Sequence, residues 1–166
     1  DVQRVWWVPS SEHPEPTPHV ESIFATVRRA IDRAFEALRP GVILHEIDTI
    51  ARSTITDAGF PEYQHATGHH VGRAAHDGGG VIGPLWERYG DTPRMRAEAG
   101  NVFTLELGIE DTGHGYLGLE EMVLVTDEGA EWLSRPQRGL MRLGATEPEI
   151  CSVSYTHLTL PTIVSV

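Results

Sequence analysis

Two stretches near the middle of the chain decide the fold: NVFTLELGI (residues 101–109) and YLGLEEMVLVT (residues 116–126). In both, apolar residues alternate with polar or small ones, which is the pattern of a β-strand. Both segments are predicted to be strands of an antiparallel sheet. A further short strand is predicted near Trp132, after the turn Asp127-Glu128-Gly129.

The residues before these strands predict two helices. Apolar residues recur at helical spacing from Val20 to Leu38, and Pro40-Gly41 ends the pattern. A second helix is predicted from about His45 to Ala58, with Gly59 as its C-terminal cap. The chain opens on DVQRVWWV, which alternates like another strand. This order of elements predicts an α+β fold, with helices packed on an antiparallel sheet.

Composition excludes several classes of function. The chain of 166 residues has 13 basic and 24 acidic residues, a net charge of −11, and contains no lysine. A Walker A phosphate loop and Schiff-base chemistry are therefore impossible. The acidic balance argues against nucleic acid and anionic membranes as partners. The single cysteine, Cys151, excludes an internal disulfide. Neither a membrane-spanning run nor a secretory signal pattern is visible, which favours a cytoplasmic location.

Four histidines lie close together in the sequence: His65, His69, His70 and His76. Histidines near carboxylates are typical of hydrolytic metal sites. The zincin pattern does not apply, because Ala66 stands where the catalytic glutamate is needed and Gly68 and Gly72 disfavour a helix. A glycine-flanked strand that presents His69 to a metal is one interpretation. Clustered surface histidines without a function are the other.

Two glutamates occupy strand positions that are predicted to point inward. Glu106 lies between Leu105 and Leu107, and Glu120 follows Leu119. A carboxylate in such apolar surroundings is costly unless it is paired or bound to a metal. Each glutamate alone could be an edge-strand charge that faces water. Together, and downstream of the histidine cluster, they favour a metal site.

The motifs TGHHVGRAAHD (67–77), TLELG (104–108) and LGLEEMVLVT (117–126) together resemble those of the pita-bread metallopeptidases. This superfamily includes aminopeptidase P, prolidase, methionine aminopeptidase and the metal-free creatinase. The preceding segments RPG (39–41) and HEIDTIAR (45–52) also resemble those of this superfamily. The resemblance covers residues 1 to about 142 and implies that they form the C-terminal part of the catalytic domain, with helices on a curved antiparallel sheet.

The resemblance also implies roles for individual residues. The implied metal ligands are Asp1, His69, Glu106 and Glu120. Glu106 would also shuttle a proton, and His76 would contact the substrate and the oxyanion. His65 resembles a histidine typical of the prolidase and aminopeptidase P branch, which favours peptides with proline after the scissile bond.

Three positions depart from the usual pattern of that family: His70, Leu107 and Gly118. His70 replaces a common glycine and Leu107 a proline. Gly118 replaces an arginine often found two residues before the last glutamate, which puts substrate preference in question.

The function implied is that of a metal-dependent peptidase of Xaa-Pro aminopeptidase or dipeptidase type, acting on short peptides as a homodimer when intact. Two divalent ions (manganese, cobalt or zinc) would activate a water molecule. The first of the family's two aspartates would lie upstream of Asp1, so we expect at most one ion on this chain. A metal-free creatinase-like hydrolase and a non-catalytic peptide- or protein-binding module are the alternatives.

The last part of the chain is predicted to lie outside the catalytic domain. Residues 143–166 form a C-terminal tail, and its end, CSVSYTHLTLPTIVSV (151–166), carries no Asp, Glu, Lys or Arg. This end resembles translated adapter sequence and is expected to be non-native. A buried terminal strand is the alternative interpretation.

Overall fold

The computed structural model describes residues 1–112 and 115–144. Its main feature is a five-stranded antiparallel sheet with the spatial order β3-β2-β4-β5-β6. The strands are β2 (Gly68–Val71), β3 (Val81–Ile82), β4 (Val102–Asp111), β5 (Gly115–Val125) and β6 (Ala130–Trp132). The two strands predicted at residues 101–109 and 116–126 correspond to β4 and β5. The predicted tail end, residues 151–166, lies outside the described residues.

Two helices precede the sheet, α1 (Pro18–Ala37) and α2 (Leu44–Asp57). Thr17 caps α1 by accepting a hydrogen bond at Oγ1 from the amide of Val20, at 3.2 Å, and Pro18 occupies the first turn. After α2 the chain turns at Gly59, whose φ of 85° favours glycine. Both helices agree with the sequence prediction to within about two residues.

The core lies between α1 and one face of β4 and β5, and α2 packs against α1 and β3. Its side chains come from the helical apolar stripes and from alternate strand positions. The apolar core side chains from β4 and β5 are Phe103, Leu105, Leu107, Ile109, Leu119, Val123 and Val125, each at most 1% exposed. Burying one such side chain contributes roughly 1.5–3 kcal/mol. Because α1 covers this face of β4 and β5, only the opposite face of the two strands is left for a functional site.

The expectation that Glu106 and Glu120 point inward is wrong. Because side chains alternate along a strand, the burial of Leu105 and Leu107 under α1 directs Glu106 to the opposite face. In the same way Leu119 and Glu121 point to the core, and Glu120 does not. The two glutamates are partly exposed, on the face that the helices do not cover.

The carboxylate that enters the core is Glu121, which is fully buried. It accepts a hydrogen bond from Arg28 Nη1 at 2.8 Å and another from the amide of Gln137 at 2.9 Å, and its second oxygen lies 2.9 Å from Arg4 Nη2. Two cations and a backbone amide therefore compensate the buried charge. Sequence analysis missed this role, because Glu120 and Glu121 are adjacent and chemically identical.

The first seven residues contact the five-stranded sheet at only a few positions of β5. Gln3 forms a two-way backbone bridge with Glu120, and Arg4 Nη1 donates to the Glu120 carbonyl at 2.9 Å. The strand β1 (Trp6–Trp7) pairs in parallel with β7 (Met141–Arg142) in a separate two-stranded sheet. The predicted N-terminal strand is thus shorter than its alternation indicates. No helix among the described ranges is both long and apolar enough to cross a bilayer.

Candidate metal centre

The site begins with the register of β4 and β5. Glu106 lies directly opposite Glu120 across the strand pair, and both side chains project from the face opposite the core. Cβ atoms of such pairs lie about 4.5–5.5 Å apart, so the two carboxylates are close enough to share a hydrogen bond. Regular strand pairing alone therefore brings two like charges together.

His69 reaches this face because β2 approaches β4 closely at Gly68. A Cβ at Gly68 would collide with the backbone carbonyl of Thr104, so only glycine fits there. The amide of His69 donates to Thr104 Oγ1 at 3.0 Å, and the amide of Glu106 donates to the carbonyl of Thr67 at 2.6 Å. These bonds fix the position of His69 along β4.

A buried ion pair in α2 holds the segment that leads into β2. Asp48 receives two hydrogen bonds from Arg52, at 2.9 and 2.8 Å, and one from Thr67 Oγ1 at 2.7 Å. Arg52 also donates to the carbonyls of Tyr63 and His65, at 2.6 and 2.8 Å. The pair thus ties residues 63–67 to the helix, immediately before His69. Neither Asp48 nor Arg52 was predicted to have a role beyond the segment HEIDTIAR (45–52).

The His69 ring is oriented with one nitrogen towards the carboxylates. Its Nδ1 lies 3.3 Å from the carbonyl of His70, so Nδ1 carries the proton and Nε2 keeps its lone pair. Nε2 lies 3.9 Å from Glu106 Oε1. It is buried and has no hydrogen-bond partner among the described residues. An orphaned buried acceptor of this kind is typical of a metal ligand.

Asp1 completes the cluster. Asp1, His69 and Glu120 each offer one ligand atom, and these atoms all lie within 4.8 Å of one another. Asp1 itself is exposed, and its amino group contacts Met122 Sδ at 2.6 Å. The structure therefore brings the four predicted metal ligands together around one region, Glu106 through its contact with His69. Their role as ligands stays a prediction.

The electrostatics of the cluster suit a cation. Burial lowers the pKa of His69, which keeps its imidazole neutral and able to act as a ligand. Burial raises the pKa of Glu106, and both burial and the charge of Glu106 raise the pKa of Glu120. A divalent ion would relieve both effects, and Glu120 Oε1, like His69 Nε2, is buried without a partner among the described residues. One imidazole and three carboxylates form a donor set that fits a divalent transition metal.

The two other predicted catalytic residues flank the cluster. The ring of His76 stacks on that of His69, with centroids 3.9 Å apart. His65 lies farther along, with Nδ1 2.7 Å from the carbonyl of Ala66 and Nε2 3.5 Å from the hydroxyl of Tyr116. Sequence analysis did not single out Tyr116, although its even-numbered position in β5 places it on the face of Glu120. His70 points elsewhere and packs on Phe103.

Comparison with solved structures identifies the fold. The dipeptidase PepE from Mycobacterium ulcerans superposes with a TM-score of 0.71 at 30% identity, over 84% of this chain and 34% of that chain. The X-Pro aminopeptidase from Thermotoga maritima gives a TM-score of 0.73 at 27% identity, over 86% and 37%. These are peptidases of the pita-bread fold, as predicted.

Sequence comparison identifies the family. The chain belongs to metallopeptidase family M24, whose model matches residues 1–127. The Xaa-Pro dipeptidase of Pyrococcus furiosus is 33% identical over 127 residues, which are 76% of this chain and 34% of that protein. The chain spans about a third of the length of the curated relatives it matches.

Proposed function

We propose that the protein is a metal-dependent peptidase that hydrolyses short peptides, with proline after the scissile bond. The observation that carries the proposal is the convergence of three ligand atoms, from Asp1, His69 and Glu120, within 4.8 Å. Two of these residues carry buried polar atoms that nothing in the described part of the chain satisfies, His69 Nε2 and Glu120 Oε1. Uncompensated polar atoms that face each other favour a cation between them.

The residues that would hold the ion are Asp1, His69, Glu106 and Glu120. When bound, a divalent metal polarises a carbonyl oxygen and lowers the pKa of water towards neutrality. The family resemblance implies two ions, whereas the four residues of this chain surround one region. We therefore propose one ion on this chain, whose identity among manganese, cobalt and zinc stays a prediction.

Glu106 and His76 are proposed to act on the peptide. Glu106 faces the cluster, with Oε1 3.9 Å from His69 Nε2, and a carboxylate in that position can act as a general base. It can take a proton from the attacking water and pass it to the departing amine. His76, stacked on His69, can donate a hydrogen bond to the oxygen on which negative charge develops.

The substrate class rests on relatives and on one residue. The Pyrococcus furiosus relative is named an Xaa-Pro dipeptidase and the Thermotoga maritima structure an X-Pro aminopeptidase. Both names favour a bond that precedes proline. His65 lies beside the face of Glu106 and Glu120, where it can bind that part of a peptide. Homodimer assembly and cytoplasmic location stay predictions.

Metal titration by calorimetry, together with a peptide assay, tests the proposal. His69→Ala and Glu120→Ala should abolish Mn²⁺, Co²⁺ and Zn²⁺ binding, whereas the exposed His13→Ala should not. His76→Ala should retain the ion but lower turnover by roughly 10²–10³-fold, as expected for one lost oxyanion donor. Hydrolysis that survives a chelator would exclude the metal-dependent mechanism. Retained metal without hydrolysis would favour a binding module.

A further inference from the structure

Two glycines lie opposite each other next to the cluster, and one aromatic ring covers both. Gly108 and Gly118 are direct partners in the β4–β5 register. A Cβ at Gly118 would lie 2.6 Å from Tyr116 Cε1 and 2.8 Å from its hydroxyl oxygen. A Cβ at Gly108 would collide with the same ring and with the carbonyl of Leu117. The ring of Tyr116 therefore fills the space that a side chain at position 118 would occupy.

Tyr116 has the position of a residue that meets substrate. It shares its sheet face with Glu120, and 54% of its surface is exposed. Its hydroxyl lies 3.5 Å from His65 Nε2, at the limit of a hydrogen bond, so the O–H group is not firmly committed to that partner.

The phenol is also kept in its donor form. Burial and then the charge of Glu106 raise the pKa of Tyr116. The ordinary pKa of a phenol is about 10, so the group is an O–H donor at neutral pH. A peptide has two kinds of oxygen that could accept this hydrogen bond, backbone carbonyls and the terminal carboxylate.

We propose that Tyr116 is a specificity-determining residue, which donates a hydrogen bond to an oxygen of the peptide beside His65 and takes the space left by Gly118. The inference rests on the proposed peptidase function. In this proposal the substrate is contacted by the side chain of Tyr116, which lies over Gly118. Position 118 itself has no side chain that could make the contact. The ring and the hydroxyl have separable roles, one as a wall of the site and one as a donor.

Tyr116→Phe separates the two roles because it removes the donor and keeps the ring. On Ala-Pro and on its C-terminal amide, the variant should raise KM by about two- to tenfold, the effect of one neutral hydrogen bond, and leave kcat nearly unchanged. A larger loss on Ala-Pro than on the amide would identify the carboxylate as acceptor, because charge-assisted bonds are stronger. Equal losses would identify a carbonyl. An unchanged KM on both substrates would overturn the proposal. Tyr89→Phe, in the 3₁₀ helix Glu87–Tyr89, is the matched control.

Gly118→Ala tests the coupling between the glycine and the ring. The three atoms nearest to its Cβ would all belong to the Tyr116 side chain, so the added methyl group would displace the ring. The variant should raise KM as Tyr116→Phe does, and the double variant should be no worse than the single ones. Fully additive losses would contradict the coupling. Gly129→Ala, where a Cβ meets nothing within 4 Å, is the control.

The outcome also distinguishes this inference from the proposed function. If the wild-type chain hydrolyses neither peptide, the proposed function fails. Calorimetric binding of Ala-Pro and its amide to wild type and Tyr116→Phe then decides the inference. Weaker binding by the variant supports the contact, and equal or absent binding rejects it.

Discussion

Glu120 and Glu121 are neighbours in the same strand, yet they lie in opposite environments. Glu121 is fully buried under α1, where Arg28, Arg4 and the amide of Gln137 contact its carboxylate. Glu120, one residue earlier, faces Glu106 on the other side of the sheet, and one of its oxygens has no partner among the described residues. The chemistry of the side chain is the same, and only the face of the sheet differs.

The comparison separates a structural charge from a functional one. A buried carboxylate that is ion-paired with two arginines of the chain belongs to the folded state and needs no ligand. A carboxylate opposed by another carboxylate, with a raised pKa, is held at an energetic cost that a cation would offset. The two faces should therefore respond in opposite ways when their charges are removed.

The largest effect is expected on the core face. Glu121→Gln should lower the free energy of unfolding by about 3–5 kcal/mol, because Arg28 and Arg4 would lose a charged partner. Urea denaturation measures this change, with the exposed Glu131→Gln as control. A loss below about 1 kcal/mol would mean that the ion pairs are not structural.

The second largest effect on the free energy of unfolding is expected at Asp48, whose hydrogen bonds hold the segment before β2. Asp48→Asn keeps the shape of the side chain but weakens three hydrogen bonds, from Arg52 and Thr67. We expect a loss of about 2–3 kcal/mol in the free energy of unfolding, the value of hydrogen bonds to a charged group. Weaker metal binding should accompany it, since β2 carries His69. Asp57→Asn, at the exposed end of α2, should show neither effect.

On the site face the sign should reverse. In the presence of a chelator, Glu120→Gln should raise the free energy of unfolding by roughly 0.2–1 kcal/mol, because it removes a like charge opposite Glu106. The same variant should bind metal poorly. Glu110→Gln, an exposed residue farther along β4, is the control. Destabilisation by Glu120→Gln without metal would contradict the contrast between the faces.

The smallest effect is a dependence on pH. The raised pKa values mean that folded Glu106 and Glu120 keep protons that the unfolded chain has already released. The free energy of unfolding should therefore fall as the pH rises from the ordinary glutamate pKa, about 4.3, through the raised folded values, and then level off. Urea titrations of the metal-free protein should show this decline, and it should be weaker in Glu120→Gln. A rise over that window would contradict the pKa directions.

The elements of the fold were largely predictable from the sequence. The periodicity from Val20 to Leu38, the stop at Pro40-Gly41 and the alternation in residues 101–126 depend on local sequence, and α1, β4 and β5 follow them. The N-terminal strand did not follow its pattern, since Gln3 and Trp6–Trp7 pair with different partners. Strand length depends on the neighbours available, which alternation does not reveal.

The members of the cluster were predictable from motifs, whereas the face of the sheet on which they lie was not, and their role as metal ligands stays a prediction. His69, Glu106 and Glu120 were found from motifs, yet the glutamates were placed on the wrong face. Only the position of α1 over Leu105 and Leu107 decides between the two faces. The contacts of Glu121 with Arg28, of Asp48 with Thr67 and of Tyr116 with His65 join residues 93, 19 and 51 positions apart. No local pattern encodes them.

The direct opposition of Glu106 and Glu120 has a consequence for the kinetics of folding. The strands β4 and β5 are consecutive, so their hairpin closes through contacts that are near in sequence, whereas His69 joins Thr104 across 35 residues. Local pairings tend to form early, before the transition state is passed. The repulsion between the glutamates is then already present at the barrier. Acidification protonates the glutamates and removes this repulsion. We therefore expect it to increase the rate at which the metal-free chain folds, with little change in the rate at which it unfolds.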